Sequence, residues 1–266
     1  MNQKIKVILI LAIVIYGIIC LLLYLGQEKL LFHPTVLPKD YAFRFDNEFE
    51  EVNLKTKDDI LLNALLFKSK QKKGAILFLH GNAGAMHGWG QSSVLYTQTG
   101  YDVFYLDYRS YGKSEGEISN ETQLIEDAQL AYDYLKKSFD EKDIIISGTS
   151  IGTGFATVLA ANNNPKKLIL NSPYFSLSKL ILEKVKIVPK FLIKYKLATN
   201  QHLKAVKCPI YMPHGTDDKV IPLHHSLQLK EQYEKIDLTQ LEGFGHNDIM
   251  NSDVYLNKTM AILESN

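Results

Sequence analysis

Cysteine is scarce, charge is almost balanced, and no stretch repeats. Of 266 residues only two are cysteine, Cys20 and Cys208. They lie about 190 residues apart, one in an apolar N-terminal run and one before a strand pattern, so no disulfide framework can be built. Thirty Lys and Arg face 29 Asp and Glu, a net charge of +1. That balance gives no reason to expect a nucleic-acid partner. Neither cysteine has a metal-ligand neighbour, and no H-E-x-x-H pattern appears. A metal-dependent hydrolase is therefore disfavoured, and no metal or organic cofactor is expected. With 46% hydrophobic and 22% charged residues, the chain has the composition of a globular protein, so disorder is not the default.

Charge is also missing from Val7 to Leu25, nineteen residues in a row, close to the ~20 needed to cross a hydrocarbon core. The run reads as an uncleaved single-pass membrane span within an anchor of residues 1–26. A cleavable signal peptide is the competing reading, but its apolar region is shorter and ends in small residues, whereas this run exits through Leu23-Tyr24-Leu25-Gly26-Gln27. Lys4, Lys6 and the amino terminus precede the span while Lys29 and Lys39 follow it, an asymmetry that only leans towards a cytoplasmic N-terminus and a globular part outside.

Residues 27–49 read as a connector running extended along the domain surface, with Pro34 and Pro38. From residue 50 to 266, short apolar runs alternate with helix-period segments. The pattern predicts strands at Glu51–Lys55, Leu61–Phe67, Ala75–Leu79, Asp102–Asp107, Ile144–Ile146, Leu168–Leu170, Ile210–Met212 and Asp237–Leu241. Helices are expected at Trp89–Thr99, Glu121–Lys137, Thr153–Asn162, Leu223–Tyr233 and Val254–Glu264. Runs such as Ala75-Ile76-Leu77-Phe78-Leu79 are apolar at every position, as in a parallel sheet with helices on both faces. The fold class is therefore α/β, doubly wound. In such sheets ligands bind beyond the carboxyl ends of the strands, where the search for chemistry belongs.

The residues in those places are His80-Gly81-Asn82-Ala83-Gly84, Asp107-Tyr108-Arg109-Ser110-Tyr111-Gly112 and Gly148-Thr149-Ser150-Ile151-Gly152. A serine between two glycines, at the passage from a buried strand to an apolar helix, matches a nucleophile held on a strained turn; the plainer reading is a helix N-cap. A serine hydroxyl needs a base within reach and a third group to orient that base. Five histidines follow Ser150, and His246 sits in the loop Gly243-Phe244-Gly245-His246 after the last strand pattern. His246 is the expected base. His214 reads as a strand-end hydrogen-bonding residue, and His224 and His225 as residues of a helix face. Asp218 is the expected orienting carboxylate, with Asp217 as the fallback. Backbone N–H groups of Asn82 and Ile151 are the expected donors to an oxyanion.

Taken together, "EKLLFHP", "LHGNAG", "DYRSYGKSEG", "GTSIGTG", "NSPYFSL", "CPIYMPHGTDD" and "GFGHND" resemble the α/β-hydrolase superfamily, and within it the membrane-anchored BEM46-like serine hydrolases, related to the serine aminopeptidase-type family. The resemblance covers nearly the full chain. It implies an α/β-hydrolase fold, with a mostly parallel eight-stranded sheet flanked by helices and a small helical cap at about 172–209. Its triad positions fall on Ser150, Asp218 and His246, its oxyanion positions on Asn82 and Ile151, and structural roles on Arg109 and Gly116. Ser110 departs from the family, which more often has glycine there.

Fold alone fixes no substrate. Phe175 to Leu197 carries six lysines against one acid, Glu183. That segment suits either an anionic membrane surface, admitting acyl chains, or a half-buried helix with snorkelling lysines. The expected function is hydrolysis of small carboxylic esters or thioesters, lipid-like ones first, through an acyl-enzyme. The membrane is expected as partner through the N-terminal helix and the basic cap, with no nucleic acid. A peptidase on the same residues and a non-catalytic membrane module are the alternatives.

Overall fold

The computed structural model describes residues 2–265; Met1 and Asn266, the outer ends of the expected 1–26 and 50–266 segments, lie outside them. Eight strands form one sheet: β1 (Phe49–Lys55), β2 (Leu61–Phe67), β3 (Gly74–Leu79), β4 (Tyr101–Leu106), β5 (Ile144–Thr149), β6 (Lys167–Asn171), β7 (Ile210–Gly215) and β8 (Ile236–Leu241). Their spatial order is β8-β7-β6-β5-β3-β4-β2-β1. The β1–β2 and β2–β4 pairs are antiparallel and all others parallel. This is the mostly parallel eight-stranded sheet that the α/β-hydrolase resemblance implied, and it agrees with the α/β class read from the residue pattern.

The uninterrupted apolar strands are explained by burial on both faces. Side chains alternate across a strand with period two, so Ala75, Leu77 and Leu79 of β3 enter one core cluster while Ile76 and Phe78 enter the other. Ile144 and Ile146 divide from Ile145 in the same way, as do Leu168 and Leu170 from Ile169. Helices cover each face. On the first, Glu121–Leu135 is capped by Asn120, whose side chain accepts from the Gln123 N–H, and packs Leu124, Ala128, Ala131 and Leu135. On the second, Asp253–Glu264 starts at Ser252, whose side chain accepts from the Tyr255 N–H, and packs Ile262 and Leu263. Arg109 is nearly buried and bridges Asp58 and Asp127 at 2.6 and 2.7 Å, tying the loop after β4 to a helix and a hairpin.

Two expectations change. The helix expected at Trp89–Thr99 is broken into Met86–Trp89, a 3₁₀ turn at Gly90–Ser92 and Ser93–Gln98. The break falls where Gly90 packs flat on Phe45; a Cβ there would stand 2.7 Å from that ring. The connector is not extended throughout either: Gln27–Leu31 forms a short helix directly after the long N-terminal one, before His33–Pro34 pairs with Ala83–Gly84. Several strands also run longer than expected, β5 to Thr149 and β7 to Gly215, because burial continues through the small and polar residues at their ends.

The helix α1, Gln3–Leu25, is 23 residues long with Cys20 as its one buried residue, and at ~1.5 Å per residue it is ~34 Å long. It is a candidate membrane span, long and apolar enough to cross a bilayer. Between β6 and β7 an insertion carries the helix α2 (Leu177–Lys184), a loop, and a short helix at Thr199–His202.

Candidate active site

Three loops at the carboxyl ends of β5, β7 and β8 meet over the sheet. The first is a turn so tight that Ser150 takes a left-handed backbone, φ 54°, a region costly for any residue with a Cβ. Its backbone N–H donates to the Asn171 carbonyl at 2.9 Å and its carbonyl accepts from the Thr153 hydroxyl at 2.6 Å. Close approach explains the flanking glycines. A Cβ on Gly148 would sit 2.6 Å from the Gly152 carbonyl oxygen, and one on Gly152 would sit 2.2 Å from that of Leu79.

The second loop turns after Gly215 and buries Asp218, while Asp217 stays exposed. Asp218 Oδ1 accepts from the backbone N–H groups of Val220 and Ile221, at 2.9 and 2.7 Å. The third loop is seated on the second: the Gly243 N–H donates to the Thr216 hydroxyl at 2.9 Å and the Asp217 N–H to the Phe244 carbonyl at 3.0 Å. Gly215 admits this contact, since a Cβ there would stand 2.2 Å from Phe244 O. Gly243 takes φ 75° with open space around it.

The seating aligns three side chains. His246 Nδ1 is 2.6 Å from Asp218 Oδ2, and Nε2 is 2.9 Å from Ser150 Oγ. The carboxylate can only accept, which assigns the proton to Nδ1 and leaves the Nε2 lone pair for the serine O–H. Burial pushes the Asp218 carboxyl up, but the adjacent His214 and His246 rings and the Ile221 N–H outweigh it and hold the carboxyl well below the ordinary range. His214 is the hydrogen-bonding strand-end residue the sequence suggests: its Nδ1 lies 2.7 Å from the Ser226 hydroxyl and its Nε2–H donates to the Ile221 carbonyl at 2.7 Å, which sets the ring edge 3.4 Å from Asp218 Oδ2. The i, i+4 spacing of His214 and Asp218 was the available sequence signal.

The loop after β3 stands beside the serine, with a Cβ on Gly81 reaching 3.6 Å from that of Ser150. Tyr108 and Tyr111 hold it by donating to the His80 and Asn82 carbonyls at 3.0 and 2.6 Å. Among the described residues, the backbone N–H groups of Asn82 and Ile151 have no protein acceptor. Tyr174, which the sequence reading passed over, donates to the Ile151 carbonyl at 3.0 Å.

Glu183, His224 and His225 are near enough to share a cation. Their bonding speaks against it. Nδ1 of His225 accepts from the Phe175 N–H at 3.2 Å, so the ring proton is on Nε2, which donates to Glu183 at 3.1 Å; Nε2 then has no lone pair for a metal. Burial pushes the His225 pKa down to about 4, which keeps the ring neutral.

A family model described as "Serine aminopeptidase, S33" matches residues 70–201. The protein bem46 of Schizosaccharomyces pombe is 29% identical over 213 residues, 73% of this chain and 71% of its own length. The lysophosphatidylserine lipase of Xenopus tropicalis is 33% identical over 174 residues, 56% of this chain; the match spans 44% of that protein. Among solved structures, an esterase of Pyrococcus furiosus superposes with a TM-score of 0.68 at 17% identity, covering 86% of this chain and 98% of its own.

Proposed function

This chain belongs to the α/β-hydrolase superfamily, and from that premise we propose that it is a membrane-anchored serine hydrolase of carboxylic esters or thioesters. The observation that carries the reading is the unbroken line of hydrogen bonds Ser150 Oγ, His246 Nε2, His246 Nδ1, Asp218 Oδ2, at 2.9 and 2.6 Å. In it His246 takes the hydroxyl proton as Ser150 Oγ attacks the acyl carbon. Asp218 keeps the ring in the reactive tautomer and stabilises the imidazolium. The free N–H groups of Asn82 and Ile151 receive the oxyanion, a role in which one donor is worth about 3 kcal/mol. The imidazolium then protonates the leaving alcohol or thiol. Water, deprotonated by the same imidazole, releases the acid.

Residues 1–26 act as the anchor, 27–49 as the connector and 50–266 as the catalytic domain, with 172–209 as its cap. The lipase named among the relatives supports lipid-like acyl groups as the first substrates to try. Lys4, Lys6 and the amino terminus ahead of the span, against Lys29 and Lys39 behind it, lean towards a domain outside the cytoplasm. A fluorophosphonate probe tests the chemistry: full-length protein is labelled and the Ser150→Ala variant is not. Failure of folded wild-type protein to label overturns the assignment. The family model's description keeps peptide substrates in view; turnover of aminoacyl amides faster than p-nitrophenyl esters would select the peptidase reading instead.

A further inference from the structure

A cavity of about 570 Å³ lies between the anchor and the insertion, within the ~300–1,000 Å³ typical of small-molecule sites. Its walls are Leu23 of α1, Leu30 of the short helix after it, Leu180 and Ile181 of α2, and Val188 of the following loop. The two sides are fastened together. Tyr16 donates to the Ile187 carbonyl at 2.9 Å, Gln27 Nε2 to the Leu192 carbonyl at 2.7 Å, and the Lys194 N–H to Gln27 Oε1 at 2.9 Å. Lys194 and Tyr195 both reach Glu28, at 3.1 and 3.0 Å.

We propose that this cavity holds one fatty acyl chain, taken sideways from the bilayer and directed to Ser150. Three observations name that occupant. First, the anchor itself forms a wall, so where α1 leaves the membrane the cavity opens beside the lipid rather than into water. Second, the segment after the insertion helix, which Tyr16 ties to α1, points apolar side chains outward: Ile187 is 58% and Phe191 85% exposed, an arrangement that suits a lipid interface. Lys186 and Lys190 each precede one of them and can rise to anionic headgroups. Third, the inner end abuts the chemistry. Val220, which lines the cavity, donates its N–H to Asp218 at 2.9 Å, and Leu31, also lining it, accepts from the Asn82 side chain at 3.3 Å. Delivery of the chain to Ser150 rests on the serine-hydrolase reading; occupancy of the cavity does not.

Full-length Ser150→Ala protein in nanodiscs of phosphatidylcholine with phosphatidylglycerol is irradiated with palmitic acid bearing a terminal diazirine, and the adducts are mapped by mass spectrometry. Adducts on residues 177–193 and 27–31 are expected, reduced at least fivefold by Ile181→Trp, which fills the cavity, and by Leu30→Trp from the opposite wall. Label confined to lipid-facing positions such as Ile13, or unchanged in both variants, overturns the proposal. In the catalytically intact protein the same substitutions lower the palmitate-to-butyrate ratio of kcat/KM for p-nitrophenyl esters at least tenfold; an unchanged ratio counts against delivery. Should no ester be turned over at all, the hydrolase reading falls while the adduct map still decides occupancy.

Discussion

Replacing Asp218 by asparagine probes the site through a single proton. Asp218 Oδ1 faces two N–H donors, Val220 and Ile221, and Oδ2 faces His246 and His214. An asparagine must keep its oxygen towards the two backbone donors, because turning the amide would set NH₂ against N–H twice at under 3 Å. Its NH₂ group then points at His246 Nδ1. Two donors cannot share that bond, so the ring moves its proton to Nε2 and can no longer accept from Ser150. The loss expected from an imidazole held in the wrong tautomer is about 10⁴-fold in kcat, or about 5.5 kcal/mol. Hydrolysis of p-nitrophenyl butyrate and the rate of fluorophosphonate labelling should fall together, while Tm and the far-ultraviolet spectrum report that the fold survives. A folded Asp218→Asn protein retaining more than about a tenth of wild-type kcat would refute the reasoning.

Two other outcomes follow from distances and charge. Gly152→Ala places a Cβ 2.2 Å from the Leu79 carbonyl oxygen, a backbone clash that should cost about 3 kcal/mol and abolish probe labelling; Gly88→Ala, with nothing within 4 Å of its Cβ, should leave Tm unchanged. Denaturant titrations across pH test the depressed Asp218 carboxyl. Its folded value lies below the unfolded ~3.9, so its contribution is fully present above about pH 4 and is lost as pH falls towards the folded value. The stability difference between wild type and Asp218→Asn should therefore shrink on acidification below pH 4, and a constant difference would show that the carboxyl is not depressed.

The sheet was legible because its signal is local. A strand buried on both faces is apolar at successive positions along its middle, and Ala75–Leu79 of β3, Ile144–Ile146 of β5 and Leu168–Leu170 of β6 are. The candidate nucleophile was legible for a similar reason: a serine forced to φ 54° between helix and strand tolerates no side chain at Gly148 or Gly152, and the glycines are written in the chain. The break at Gly90 was not legible, since the ring that demands a glycine there belongs to Phe45, distant in sequence. Likewise the approach of the His214 ring to Asp218 depends on its bond to the Ile221 carbonyl, a contact made only once the loop has folded.

By itself, then, the order of residues determined the layers of the domain, the apolar span and the residue types able to do acyl chemistry, since periodicity and backbone strain act over a few neighbours. Only the tertiary structure set Asp218, and not Asp217, 2.6 Å from His246, brought His246 to within 2.9 Å of Ser150, and folded the insertion back onto the anchor to enclose a cavity. Those are distances between segments tens to more than a hundred residues apart, set by which surfaces pack once the sheet has formed, and no local pattern encodes them.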